Sequence, residues 1–309
     1  MIHPPAWFGD ASLILISLLV QGIPFLLLGA FAGGLVSGWM PLANLLRRWP
    51  RNAAVSAFCG AVCALVVPAC DCAVVPIVRR LIRKGAPLSA SIAYLMAAPS
   101  LNPICLISTW LAFRFGSPWH MVALRAGGSL LLAVMTGIIA SRFSPATLLK
   151  ADVLFRATPE VDTMPWMQIK PSSGPVAQRV GGIMAAGLTD FLNVSTLYVL
   201  GAMCSALLQT FLPLGKMFGS HTTLGIPAAM LLAFLFSLCS SADAFVVNAF
   251  GSLGLAGQLA FLWLGPAYNL RILFLYRSLF HYSAILALGL LTFVIVALMA
   301  LAVMKLGLS

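Results

Sequence analysis

Charge is what this sequence has least of. Of its 309 residues, 8% are Asp, Glu, Lys or Arg and 61% are hydrophobic, whereas soluble domains carry roughly a quarter charged. A water-facing surface cannot be built from so few charges, which excludes a soluble globular domain. Acidic residues are scarcest, seven against 18 Lys and Arg, for a net charge of +11. In a soluble chain that excess would point to nucleic acid. Here the basic residues sit in short clusters, "RRWPR" (47–51) and "RRLIRK" (79–84), which read as topology signals, and no nucleic-acid partner is expected.

Other absences narrow the choice. Neither G-x-x-x-x-G-K-[ST] nor H-E-x-x-H occurs, so ATP hydrolysis and zinc proteolysis have no basis; no enzymatic activity and no cofactor are expected. The four histidines, His3, His120, His221 and His281, fall at or near segment ends and read as interfacial. Short alternating segments with polar turns are missing, which argues against a membrane β-barrel. The opening "MIHPPAWFGD" lacks a basic n-region, so the first apolar run is expected to stay as a membrane helix rather than be cleaved. Seven cysteines, most of them inside apolar stretches, do not make a disulfide framework.

What remains is a set of long apolar segments. Uncharged runs of 26 to 36 residues lie between Asp10 and Arg47, Lys84 and Arg114, Lys216 and Asp243, Asp243 and Arg271, and Arg277 and Lys305. Each exceeds the roughly 20 residues that span a bilayer as a helix. The expected fold is an all-α polytopic membrane protein.

The least apolar stretch, residues 143–180, carries five prolines and mixed charges and reads as a solvent-exposed cytoplasmic linker between two membrane repeats, 1–142 and 181–309. The repeats resemble each other. "PLSASIAYLMAAPSLN" (87–102) aligns without gaps on "GLAGQLAFLWLGPAYN" (254–269), and "QGIPFLLLGA" (21–30) lies over "NVSTLYVLGA" (193–202), the pattern of an internal duplication.

Charge placement suggests the topology. If residues 52–78 crossed once, the two basic clusters would face opposite sides, against the positive-inside bias. A hairpin with arms over 53–67 and 73–83 resolves this, because arms that short reach only mid-membrane at about 1.5 Å per residue. A crossing over 86–113, interrupted at "PSLNP", and a helix over 119–142 complete the first repeat. Three crossings plus a hairpin make an odd number, so the second repeat is inverted, with crossings at 181–212, 253–275 and 281–305 and a hairpin at 225–251. Arg271 and Arg277 then fall on the cytoplasmic side. The expected location is the bacterial cytoplasmic (inner) membrane, with the central loop cytoplasmic and both termini outside. Lipid and the transported species are the expected partners, and a homo-oligomer or an accessory membrane protein stays open as a further one.

The first hairpin tip, "VVPACDCAVVP" (66–76), concentrates the chemistry. Residues two apart on a helix point about 200° apart, so Cys70 and Cys72 could share a ligand only where the helix is unwound, and Pro68 and Pro76 favour unwinding. Paired thiolates suit soft ions such as Cu(I), Zn(II) or trivalent arsenic. Cys59, Cys63, Cys105, Cys204 and Cys239 read instead as small packing residues. Asp71, Asp190 and Asp243 fall within membrane segments, where an ionised aspartate costs at least about 2.5 to 3.5 kcal/mol and usually faces a cavity, a partner or a proton path. Asp71 and Asp243 lie at the two hairpin tips, as cation or proton sites or as structural caps. Asp190 sits near Asn193, whose counterpart is Gln21. The breaks Pro99–Asn102 and Pro266–Asn269 place amides that either bind substrate or satisfy broken backbone.

Residues 68–103, "PACDCAVVPIVRRLIRKGAPLSASIAYLMAAPSLNP", closely resemble the signature of the predicted permease family that includes the ArsP-type organoarsenical exporters: P-x-C-x-C-x-x-x-P, a basic turn, a glycine, then P-x-x-N-P. The resemblance implies an inner-membrane permease. Some relatives export trivalent organoarsenicals and others are linked to copper or zinc, with Cys70 and Cys72 standing where the family's paired cysteines stand. Two positions depart: Asp71, where many members have serine or threonine, and Ala73, where many have glycine. The added carboxylate favours a divalent metal over a neutral arsenical, with Cys70, Cys72 and Asp71 as its ligands and Asn102, Asp190, Asp243 and Asn269 completing a substrate site. Two other readings stand beside it: a transporter of a small organic anion or thiol compound, and a membrane thiol oxidoreductase.

Overall fold

The structure, a computed structural model, describes residues 12–20, 23, 49–50, 52–71, 73–83, 85–150, 153, 195–207, 225–249 and 253–306. Among them every extended element is helical apart from one isolated antiparallel bridge between Leu149 and Phe280. The expected all-α membrane fold is borne out, with four helical spans, Leu88–Ala112, Pro118–Ala140, Gly254–Tyr276 and Tyr282–Lys305, long and apolar enough to cross a bilayer.

Among the described residues ten helices fall into two sets of five. The first set is α1 (Ala53–Val66), α2 (Val74–Arg83), α3 (Leu88–Leu101), α4 (Pro103–Ala112) and α5 (Pro118–Ala140). The second is α6 (Gly225–Phe236), α7 (Asp243–Ala249), α8 (Gly254–Ala267), α9 (Leu270–Tyr276) and α10 (Tyr282–Lys305). Each set is a short helical hairpin, then a helix broken in its middle, then one long helix. The arms α1 and α2, of 14 and 10 residues, extend about 21 and 15 Å, short of the roughly 30 Å hydrocarbon core.

Local sequence explains the boundaries. The Asn52 side chain caps α1 by accepting from the Ala54 N–H at 3.0 Å. At the end of α2, the Gly85 N–H reaches the Ile82 carbonyl and the Ala86 N–H reaches the Leu81 carbonyl, with Gly85 at φ +88°. This Schellman closure requires a left-handed residue, which glycine supplies. At the mid-helix breaks, Asn102 and Asn269 each cap the second half: Asn102 Oδ1 accepts from the Ile104 N–H at 3.0 Å, and Asn269 Oδ1 from the Ile272 N–H at 2.9 Å.

Helices α3 and α8 form the centre and are buried almost along their whole length. Lipid supplies no hydrophobic drive between helices, so close packing of small residues has to hold them together. Helix α1 presents Ala57, Gly60, Ala61 and Ala64 as its buried face, and a Cβ on Gly137 of α5 would lie 2.7 Å from the Ser89 carbonyl oxygen of α3. Helix α10 turns Leu286, Leu290, Val294, Leu298 and Leu301 outward, a stripe that meets lipid.

The two sets run in opposed directions. One apolar groove is lined by Ile92 near the start of α3, Ala140 at the end of α5, Phe280 just past α9, and Ala284 at the start of α10. Broken helix α3–α4 therefore begins where its counterpart α8–α9 ends, and α5 ends where α10 begins. Residues 143–150, the start of the expected linker, dock on the same end: Leu149 is 1% exposed, the Lys150 N–H donates to Leu279 and the His281 N–H to Leu148, each at 3.0 Å.

Candidate functional site: two hairpin tips and two buried ion pairs

The unwound residues between α1 and α2 form tip 1, and those between α6 and α7 form tip 2. Their backbones match. The Cys70 carbonyl accepts from the Ala73 and Val74 N–H groups, both at 3.0 Å, and the Cys239 carbonyl accepts from Ala242 and Asp243 at 2.8 and 3.1 Å. That registers "VVPACDCAVVP" on "LFSLCSSADAF" (235–245), with Cys239 opposite Cys70, Ser240 opposite Asp71, Ser241 opposite Cys72 and Asp243 opposite Val74. The two tip aspartates are thus not counterparts.

Each nevertheless meets an arginine from the other half. Asp243, 2% exposed, opens α7 and receives Arg125 of α5 in a two-pronged pairing: Nη1 to Oδ1 at 3.1 Å and Nη2 to Oδ2 at 3.0 Å. Arg125 also donates to Thr109 Oγ1 at 2.8 Å and to the Ser240 carbonyl at 3.1 Å. The Cys105 thiol donates to that same carbonyl at 2.8 Å. Tip 2 is therefore tied to α5 by charge-assisted bonds, which are roughly twice as strong as neutral ones, and to α4 by the neutral thiol of Cys105.

The ion pair at tip 1 is longer. Asp71 is 1% exposed, and Arg271 Nη2 lies 3.5 Å from its Oδ2, at the limit of a hydrogen bond. Oδ1 has no hydrogen-bond partner among the described residues. Arg271 divides its donors among Tyr198 Oη and the Leu238 carbonyl, both at 3.4 Å, and its guanidinium carbon stands 5.5 Å over the Tyr198 ring, a cation–π distance. The Arg271 N–H reaches Ser237 Oγ at 3.3 Å, and Ser237 has a left-handed φ of 47°, which a non-glycine residue adopts only where surrounding structure enforces it.

The candidate residues fall as follows. Cys70, half-buried on tip 1, and Asp71 are neighbours on one unwound segment. Asp243 is on the facing tip. Asn102 and Asn269 act at the breaks, and Asn269, fully buried, also donates through Nδ2 to the Gly265 carbonyl at 2.8 Å. Cys72 and Asp190 lie outside the described residues, as do Gln21 and Asn193. Among the described residues no three His, Cys, Asp or Glu side chains converge as a metal cluster would.

Sequence reasoning missed both arginines. Arg125 stands alone in the apolar run "MVALRAGGSLLLAV", a signal as strong as a membrane aspartate. Arg271 reads from its sequence position only as a topology charge, and its role as a buried ion-pair partner, at 2% exposure, comes from the structure. The break at Asn269 is the reason, because it sets Arg271 at the start of a half-helix in the interior.

No solved structure matches. The chain is similar to the UPF0718 protein YcgR of Bacillus subtilis (strain 168), 31% identical over 297 residues that cover 95% of this chain and 96% of that protein. It is 28% identical to a Streptococcus mutans (strain ATCC 700610 / UA159) protein named "Putative two-component membrane permease complex subunit", covering 92% and 91% of the two chains. It is 23% identical to the UPF0718 protein YraQ of Escherichia coli (strain K12), over 84% and 70%. The family model described as predicted permease, ArsP_1, matches residues 7–305, so a chain with two opposed hairpin tips tied by buried ion pairs belongs to this family of membrane permeases.

Proposed function

We propose that the protein is a secondary permease of the bacterial inner membrane that exports a soft cation or metalloid, a divalent metal before a trivalent arsenical, through a thiol and carboxylate site at the two tips. A family described as predicted permease and one relative named as a permease complex subunit point to transport rather than to catalysis. The choice of cargo rests on Cys70, Cys72 and Asp71.

One observation carries the reading. In tip 2, Cys239 Sγ and Ser241 Oγ, two residues apart, come within 3.4 Å of each other, which a continuous helix forbids. Cys72 is the counterpart of Ser241 in the sequence register of the two tips, and Cys70 and Cys72, spaced as Cys239 and Ser241 are, are proposed as a two-sulfur grip for a thiophilic ion. Asp71 supplies the negative charge that a divalent ion needs and a neutral arsenical does not.

Transport follows from the two strengths of attachment. Tip 2 is fastened to the first repeat by Arg125, and tip 1 is lightly held by Arg271, so tip 1 is the element that parts first. Rocking of the repeat 1–142 against the repeat 181–309 about this junction alternates access, as in other inverted-repeat carriers. The Streptococcus mutans relative is named a complex subunit, and an accessory membrane subunit is proposed here on that ground.

The test is the sensitivity of a deletion strain to zinc, cadmium, copper and trivalent arsenicals, with cell metal content measured in parallel. Complementation by the wild-type chain but not by Cys70→Ser or Cys72→Ser is expected. Complementation by both variants would discard the thiol site.

A further inference from the structure

One end of the helix bundle carries a groove remote from both tip thiols. It runs between α5 and α10, walled by Ile92 and Ile139 from the first set and by Ala284, Leu288, Leu291 and Val294 from the second, with a volume of about 350 Å³. Every side chain on its wall is apolar. The groove opens on the outward stripe of α10, where Leu290 and Val294 are exposed. What meets such a surface in a membrane is hydrocarbon, so the occupant it fits is an acyl chain.

Its depth agrees. Tyr282, the first residue of α10, is exposed, as aromatic side chains at the membrane–water boundary are. From Tyr282 to Val294 the helix descends about 18 Å, slightly more than one leaflet of a hydrocarbon core roughly 30 Å thick.

The mouth of the groove is basic. Exposed Arg142 immediately precedes Phe143 of the wall. The Lys150 N–H donates to the Leu279 carbonyl at 3.0 Å, which sets Lys150 beside Phe280, also of the wall, and exposed Arg277 lies in the turn that leads to Phe280. Among the described residues the carboxylates are those of Asp71 and Asp243, both held in the interior ion pairs, so no described acid balances these three charges.

Phe143 also borders a second cavity, of about 760 Å³, with Ser56, Ser89 and Ser141 on its wall. Hydroxyls can donate to phosphate oxygens. A hydrocarbon slot with cations and a hydroxyl-lined cavity at its mouth has the layout of a phospholipid: chain, phosphate, headgroup.

We propose that this groove binds one anionic phospholipid, with an acyl chain lying against α5 and α10 and the phosphate held by Arg142 and Lys150. Basic pockets between membrane helices take acidic headgroups in this way. Because the wall draws on both sets of helices, the bound lipid braces them against each other at this end. The proposal depends neither on the cargo nor on the tip thiols.

The experiment uses the purified full-length protein in detergent. Dioleoyl phosphatidylglycerol is the probe, dioleoyl phosphatidylcholine supplies the same chains under a zwitterionic headgroup, and glycerol phosphate supplies an anionic headgroup without chains. Bound lipid is counted by native mass spectrometry, and its effect is read as the thermal unfolding midpoint. Wild type is expected to retain phosphatidylglycerol, to gain in midpoint with it, and to bind phosphatidylcholine at least about fivefold more weakly. Arg142→Gln/Lys150→Gln should lose about tenfold or more in phosphatidylglycerol affinity. Ala287→Phe, at an exposed position of the groove wall, should exclude the chain, while Leu298→Phe, on the same stripe outside the groove, matches wild type.

Equal retention of the two lipids by wild type overturns the inference, as does phosphatidylglycerol binding unchanged in both Ala287→Phe and the double variant. A midpoint raised as far by glycerol phosphate as by phosphatidylglycerol assigns the basic mouth to a free phosphate and overturns it too. A wild-type dimer in light scattering that Ala287→Phe converts to a monomer, with lipid binding unaltered, gives the groove to a second copy of the chain and has the same consequence.

Discussion

Asp71 and Arg271 stand 200 residues apart in the chain and 3.5 Å apart in the interior, at 1% and 2% exposure. Between them they join the α1–α2 hairpin to α9. The companion pair, Arg125 and Asp243 at 3.0 Å, joins the α6–α7 hairpin to α5. Among the described residues two reciprocal ion pairs of unequal length link the two sets of helices, and that inequality sets the expected behaviour of variants.

Arg271→Gln strands the Asp71 carboxylate in a buried site. A loss of stability of about 3 to 5 kcal/mol is expected for breaking such a pair, read as the thermal unfolding midpoint in detergent. The double variant Asp71→Asn/Arg271→Gln should recover a large part of it. A loss in the double variant equal to the sum of the two single losses would mean the two side chains are not coupled.

Asp243→Asn should destabilise more than Asp71→Asn. The first removes two charge-assisted bonds and leaves Arg125 buried and uncompensated, whereas the second removes one long contact and leaves Arg271 its bonds to Tyr198 and Leu238. Side-by-side unfolding of the two variants checks the order, and the reverse order contradicts the assignment of the fastened and the light tip.

Asn269→Ala and Asn102→Ala both remove a helix cap, worth about 1 to 2 kcal/mol. The Asn269 change should cost more, since it also frees the buried Gly265 carbonyl. Unfolding measurements read this directly. Transport retained by a folded Asn269→Ala protein would assign the residue to the backbone break and remove it from the substrate site.

Much of the fold was legible because its punctuation is local. Pro68, Asn102, Pro103 and Asn269 end or start helices through their own backbone and side-chain chemistry, so the hairpin arms expected over 53–67 and 73–83 lie at Ala53–Val66 and Val74–Arg83. The ion pairs were not legible. Nothing local to Arg125 says that its partner lies 118 residues on, and Arg271 looks like an end-of-helix charge until the break at Asn269 is known to begin a new half-helix there. The register of the tips was hidden for a similar reason: it is set by carbonyl hydrogen bonds at Cys70 and Cys239, and the two aspartates, one residue type at both tips, suggest a false correspondence.

Gly137→Leu should separate α5 from α3, because even a Cβ at this position would lie 2.7 Å from Ser89 O and 3.0 Å from the Ala93 side chain. Overpacking of this kind costs about 1 to 3 kcal/mol or more. Lowered yield of folded protein and a lower unfolding midpoint are expected, while Gly127→Leu, which meets nothing within 4 Å, should be tolerated.

The central claim, carriage of a soft cation by the tip thiols, is tested most directly by flux in proteoliposomes loaded with a cadmium-sensitive dye. Wild-type protein is expected to move Cd(II) down its gradient, and Cys70→Ser and Cys72→Ser proteins, folded by the same unfolding assay, are expected to be silent. Undiminished Cd(II) flux through the double variant Cys70→Ser/Cys72→Ser would contradict the account.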